Sequence, residues 1–122
     1  MSNIETFRAL IAAWEKRSVD DILAVMTDDA LYLNVGMPEM VGHAAIRAGL
    51  TAFVGGSTAI HWTVHHIAEA ADGAVLTERT DVFEMGGRKV SIPVMGVAEF
   101  RDGKICAWRE YFDVPAFQKQ LA

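Results

Sequence analysis

A second cysteine is missing from this 122-residue chain: Cys106 stands alone, so no intrachain disulfide can form and a reducing cytoplasm is the expected location. Basic residues are not in excess either. The formal net charge of -5 offers no electrostatic footprint for nucleic acid or an anionic membrane, and neither is expected as a partner. No apolar run approaches the length of a membrane span, and the first residues lack the basic and apolar regions of a secretory leader. There is no phosphate-binding glycine loop, no dinucleotide fingerprint and no Cys/His metal spacing, so no metal or other cofactor is expected. Ser/His and Cys/His nucleophilic constellations are likewise not evident. Repeats, low-complexity segments and linkers are absent.

What is present is a generous apolar complement. Hydrophobic residues make up 52% and charged residues 22%, the balance of a globular chain and not of a disordered one. One domain over residues 1–122 is expected, burying about two-thirds of the surface of its unfolded chain.

The first half reads as helical. Ser2 with Glu5 makes a possible capping box before the stripe Ile4, Phe7, Leu10, Ile11 and Trp14, the spacing of one buried helix face. Ser18 and Asp21 start a shorter helix with Val19, Ile22, Leu23 and Met26 inward. Ala30 to Val35 reads as a strand, with Tyr32 and Asn34 on one face. A turn-rich link from Gly36 to Gly42 leads to a third helix from His43 to Val54, which Gly55 and Gly56 stop.

From Ile60 the period becomes two. Strands are expected over 60–68, 74–85, 88–100 and 104–113, separated by Asp72-Gly73, Gly86-Gly87 and Asp102-Gly103, which accept the positive φ of tight turns. Pro93 inside the third of these suggests an edge position or a bulge. Asp113 and Pro115 suit the N-cap and first turn of a closing helix. Helices first and a meander afterwards mean α+β: about three N-terminal helices on the concave side of a curved antiparallel or mixed sheet.

Two runs place charge in these apolar strands. Parity puts Val75, Thr77, Arg79, Asp81 and Phe83 on one face, and Cys106, Trp108, Glu110 and Phe112 on another. If both look into one cavity, a guanidinium meets two carboxylates in an apolar pocket, and buried charges are costly unless paired. The same spacing also describes a surface cross-strand ion pair. Tyr32 and Asn34 supply a hydroxyl and an amide suited to holding a water, or to facing solvent. His61 and His65 lie four apart on a strand, about 13 Å along it, too far to share a metal, and His65 and His66 should face opposite ways. Cys106 reads as a small core residue.

In order, Tyr32-Leu33-Asn34, Gly42, Thr77-Glu78-Arg79-Thr80-Asp81-Val82, Gly96-Val97 and Trp108-Arg109-Glu110-Tyr111-Phe112-Asp113 span nearly the whole chain. Together they resemble the limonene-1,2-epoxide hydrolase family of the nuclear-transport-factor-like superfamily. The resemblance implies an Asp-Arg-Asp triad falling on Asp81, Arg79 and Glu110, with Tyr32 and Asn34 holding the water. It also implies a homodimer formed through the outer face of the sheet. Position 110 departs from the family pattern, carrying glutamate where the family has aspartate, and the added methylene moves the carboxylate by roughly one carbon–carbon bond.

The implied activity is cofactor-independent hydrolysis of a small apolar epoxide by water. Glu110 would act as base and Asp81 as acid, with Arg79 bridging them. Leu50, Phe53, Phe83, Ile92, Val94 and Phe112 are candidate pocket walls. The alternatives are a ketosteroid-isomerase-like or polyketide-cyclase-like enzyme, for which Asp81 and Tyr32 could mimic base and oxyanion donor, and a non-catalytic small-molecule-binding module.

Overall fold

A computed structural model describes residues 1–122. Helix α1 (Asn3–Glu15) opens on the capping box, with Ser2 Oγ accepting from Glu5 N and Glu5 returning the bond to Ser2 N. Its stripe buries Phe7, Leu10, Ile11 and Trp14, as the spacing predicts. Helix α2 (Val19–Ala24) follows, capped by the Ser18 side chain on Asp21 N. Met26 does not belong to it. The helix ends two residues earlier, and Met26 begins strand β1 (Met26–Asn34), buried at the bottom of the core.

The link after β1 contains a two-residue strand, β2 (Met40–Val41), which pairs antiparallel with Leu31 and Tyr32. No periodicity marks so short an element. Gly42 then caps helix α3 (His43–Gly56) with a φ of 88°, a left-handed value that favours glycine. Gly55 and Gly56 lie inside the last turn of α3 and neither is left-handed. The helix stops because β3 (Ser57–Glu69) starts at once.

The remaining strands are β4 (Val75–Met85), β5 (Arg88–Arg101) and β6 (Lys104–Tyr111), joined by hairpins at the expected Asp-Gly and Gly-Gly pairs. Gly73, Gly86, Gly87, Asp102 and Gly103 all take positive φ there. The open mixed sheet has the order β2-β1-β6-β5-β4-β3, every neighbour antiparallel except β1 and β6, which are parallel. Helix α4 (Val114–Leu121) closes the chain, with Asp113 Oδ1 accepting from Ala116 N and Pro115 in the first turn.

Pro93 corrects the expectation of an edge strand: β5 is interior to the sheet, without a bulge opposite β4. It is tolerated because the β5–β6 ladder ends at Met95–Tyr111. Beyond it, Gln120 of α4 takes both Ser91 N–H and Ser91 C=O, so the 91, 93 and 95 backbone groups point away from β4. The donor that Pro93 lacks would face this short stretch without a strand neighbour. A register shift between Val64 and His66 corrects a second expectation. His65 bonds Thr80 and His66 bonds Glu78, two side chains on the same outer face of β4, so both rings lie on one side. Cys106 is half-buried, not a core residue.

The inner face of the sheet and the buried stripes of α1, α2 and α3 enclose one core, from Phe7 and Leu10 to Ile105 and Trp108. No helix is long and apolar enough to cross a membrane.

Candidate active site

Strand register assembles the site. Parallel pairing of β1 with β6 sets Tyr32 beside Trp108 and Asn34 beside Glu110. Antiparallel pairing then lines up Glu110, Gly96 and Thr77 across β6, β5 and β4. Two residues further along β4 come Arg79, opposite Val94, and then Asp81, opposite Ile92 on one side and Trp62 on the other. All of these inward positions alternate with exposed or half-buried ones on the outer face of β4. Arg79 is 0% exposed, and Asp81 and Glu110 are each 3% exposed. A surface ion pair is thereby excluded.

Every N–H of the Arg79 guanidinium has an acceptor. Nε donates to Asp81 Oδ1 at 3.1 Å and Nη2 to Asp81 Oδ2 at 2.9 Å, a bidentate grip. Nη1 donates to Glu110 Oε2 at 3.3 Å, and Nη2 also to Glu110 Oε1. The fifth N–H, on Nη1, goes to Thr77 Oγ1 at 2.8 Å. The flat cation lies 4.5 Å from the ring centre of Trp62, a cation–π contact in a dry setting. The Tyr32 ring stacks on Trp108 with centroids 4.3 Å apart and planes 9° apart, which fixes its hydroxyl beside Asn34 and Glu110.

Burial governs the protonation of the group. Loss of water pushes the Glu110 carboxyl up to about 7, against the pull of Arg79, and raises Asp81 in the same way. One cation with two anions would leave a net negative charge in an apolar site; one proton on the pair makes the triad neutral. The Tyr32 phenol is raised too, by burial and then by the Glu110 charge, and stays protonated. For Arg79, burial works against the charge, but the two carboxylates outweigh it and raise its pKa.

These groups end at a cavity of about 290 Å³. Asp81, Glu110, Tyr32 and Asn34 reach its surface, while Arg79 sits behind the two carboxyls. Leu50, Phe53, Phe83, Ile92, Val94 and Phe112 all line it, as the sequence predicts. Sequence reasoning missed further parts. Thr77 shares the parity of Arg79 and is buried, which was a usable signal. Trp62 was not readable, because the bulge at His65 shifts the register that brings it to Asp81. Met37, Met40 and Phe117 come from a link and a terminal helix whose positions no periodicity encodes. No group of His, Cys, Asp and Glu is arranged to hold a metal. The four histidines lie outside the cavity lining.

Comparison with known proteins agrees in one direction. The family model described as limonene-1,2-epoxide hydrolase catalytic domain matches residues 1–122. Epoxide hydrolase EphG of Mycobacterium tuberculosis is 39% identical over 107 residues, 87% of this chain and 70% of the relative. The solved structure of an M. tuberculosis LEH-like epoxide hydrolase superposes with a TM-score of 0.82 at 35% identity, over 98% of this chain and 88% of that one. A putative isomerase from Bacillus subtilis reaches a TM-score of 0.87 over 99% and 96% of the two chains, but at 19% identity it shares the fold alone.

Proposed function

The chain belongs to the limonene-1,2-epoxide hydrolase family and is an epoxide hydrolase, and we propose that it opens an apolar epoxide to a vicinal diol by direct attack of water. The observation that carries this mechanism is the single guanidinium gripping two buried carboxyls at the wall of an apolar cavity.

An unactivated epoxide needs a base for water and an acid for the departing oxygen in the same step, since a free alkoxide is a poor leaving group. Two carboxyls sharing one proton supply both. Because they are joined through Arg79, pH sets how many protons the pair holds, while geometry assigns the roles. Tyr32 and Asn34 stand on β1 next to Glu110, so the water they hold lies beside Glu110, which takes its proton. Asp81, flanked by Phe83 and Ile92, carries the proton in the reacting form and gives it to the epoxide oxygen. The water oxygen bonds to the carbon, the C–O bond breaks, and the pair ends with its proton moved from Asp81 to Glu110. The summed charge of the triad is therefore unchanged, while Arg79 holds both carboxyls in place. No metal or other cofactor has a part in this scheme.

The arrangement supports this reading over proton transfer beside a carbonyl. That reaction needs one carboxylate base and an oxyanion donor, for which Asp81 and Tyr32 would suffice, and it leaves no use for the Arg79 bridge between two buried carboxyls. Homodimerisation belongs to the same reading. Leu76, Met95 and Tyr111 are exposed on the outer face of the sheet, with Met95 and Tyr111 paired in register and Leu76 two residues further along β4 from the partner of Met95. A reducing cytoplasm suits the lone Cys106.

The test is turnover of terpene, cyclohexene and styrene-type epoxides with detection of the diol. Asp81→Asn and Glu110→Gln should each lower kcat by about a thousandfold or more, with circular dichroism unchanged, because acid and base act in one step. Retention of turnover in Glu110→Gln would remove that residue from the role of base.

A further inference from the structure

Glu110 reaches Arg79 from a strand that is not its neighbour. Residue 110 is on β6 and Arg79 on β4, with β5 between them, so their backbones are about 10 Å apart at the usual strand spacing. Glu110 bridges that distance by laying its side chain over β5. The residue beneath it is Gly96, which pairs with Glu110 on one side and Thr77 on the other. A Cβ at position 96 would overlap Glu110 Oε2, approach Glu110 Cδ to 3.1 Å and the Arg109 carbonyl oxygen to 3.3 Å. Gly96 is not at positive φ, unlike Gly86, Gly87 and Gly103, so the backbone does not require glycine here. A glycine inside a strand otherwise weakens it. What it supplies is the empty space above it.

We propose that Gly96 is a positioning residue, the seat across which the Glu110 carboxylate reaches Arg79, and that this seat is what lets glutamate serve at position 110. This rests on Glu110 being the base, and it adds why the longer acid fits. A methyl group at 96 has nowhere to send the carboxylate cheaply. Glu110 is buried, its oxygens are held by Arg79, and Gly96 itself is paired on both sides, with Glu110 and with Thr77. A shorter acid, drawn back toward β6, would clear the methyl.

The experiment is a double-mutant cycle of Gly96→Ala and Glu110→Asp, read by ¹³C NMR titration of the carboxyl at position 110, by kcat and KM, and by thermal melting. In the glutamate background, Gly96→Ala should move that titration by about one pH unit or more. It should also lower kcat about a hundredfold with KM nearly unchanged, and lower the melting temperature more in the glutamate than in the aspartate background. In the aspartate background, Gly96→Ala should leave both titration and turnover close to those of Glu110→Asp alone. Unchanged titration and kcat in Gly96→Ala, or equal shifts in both backgrounds, would overturn the proposal. The NMR reading survives loss of turnover. If Glu110→Gln remains active, the role of Glu110 as base falls, while the titration cycle still decides whether Gly96 seats its carboxylate.

Discussion

One proton is part of this site's structure, because Glu110 and Asp81 are both raised by burial around a single guanidinium. The pH dependence follows with a definite sign. Glu110 titrates at about 7 in the folded chain against 4.5 for an ordinary glutamate, so the folded form binds the proton more tightly than the unfolded one. Its contribution to stability is complete below 4.5 and is lost as pH rises through about 7. The effect is on the order of 3 kcal/mol. Melting of the wild type relative to Glu110→Gln across that range should show the difference shrinking with pH; a constant difference would refute it. Activity should fall on the alkaline side of about pH 7, because the two carboxyls titrate as one coupled pair and, once it has given up its single proton, Asp81 has none for the epoxide oxygen. Strand parity put Arg79 and Asp81 on one apolar face and Glu110 on another but left a surface ion pair open, because only the register across β4, β5 and β6 brings the three together. Thr77 was on the same face by the same parity, and its hydroxyl accepts the fifth N–H of Arg79.

At the scale of elements, α4 is the piece whose packing matters to the site while none of its own residues is fully buried. It is held by the Asp113 cap and the two Gln120–Ser91 bonds, and it carries Phe117 into the cavity wall. Asp113→Ala should therefore cost about 1 kcal/mol. That corresponds to a lowering of the melting temperature by roughly 4 °C. It should also raise KM while leaving kcat nearly unchanged. A collapse of kcat instead would place Asp113 in the chemistry. The cap itself was readable, since Asp before Val-Pro has a local mechanism. The hairpin turns were readable for the same reason: Asp102 and Gly103 both need positive φ. Non-local features were not. The β1–β6 parallel pairing, the two-residue β2, the bulge at His65 and the interior place of Pro93 are settled by partners far away in sequence.

At the scale of the molecule, helices cover the inner face of the sheet, while the outer face carries Leu76, Met95 and Tyr111 at 43%, 56% and 49% exposure. Exposed apolar groups gathered on one outer face suit an association surface, here proposed to meet a second copy. Sedimentation should show twice the 13.4 kDa chain mass, and Met95→Lys should shift it to the monomer while the site on the other face keeps its cation–carboxyl contacts. A native monomer would rule the dimer out.

The path of the oxygen atom decides the mechanism. A single-turnover reaction with enzyme in excess in ¹⁸O-labelled water, followed by mass spectrometry of diol and protein, reads it directly. With Glu110 as base and Asp81 as acid, water bonds to the epoxide carbon, so the first diol should carry the label and neither carboxyl should. Unlabelled first-turnover diol, with ¹⁸O left in Asp81 or Glu110, would show an ester intermediate and contradict direct attack by water.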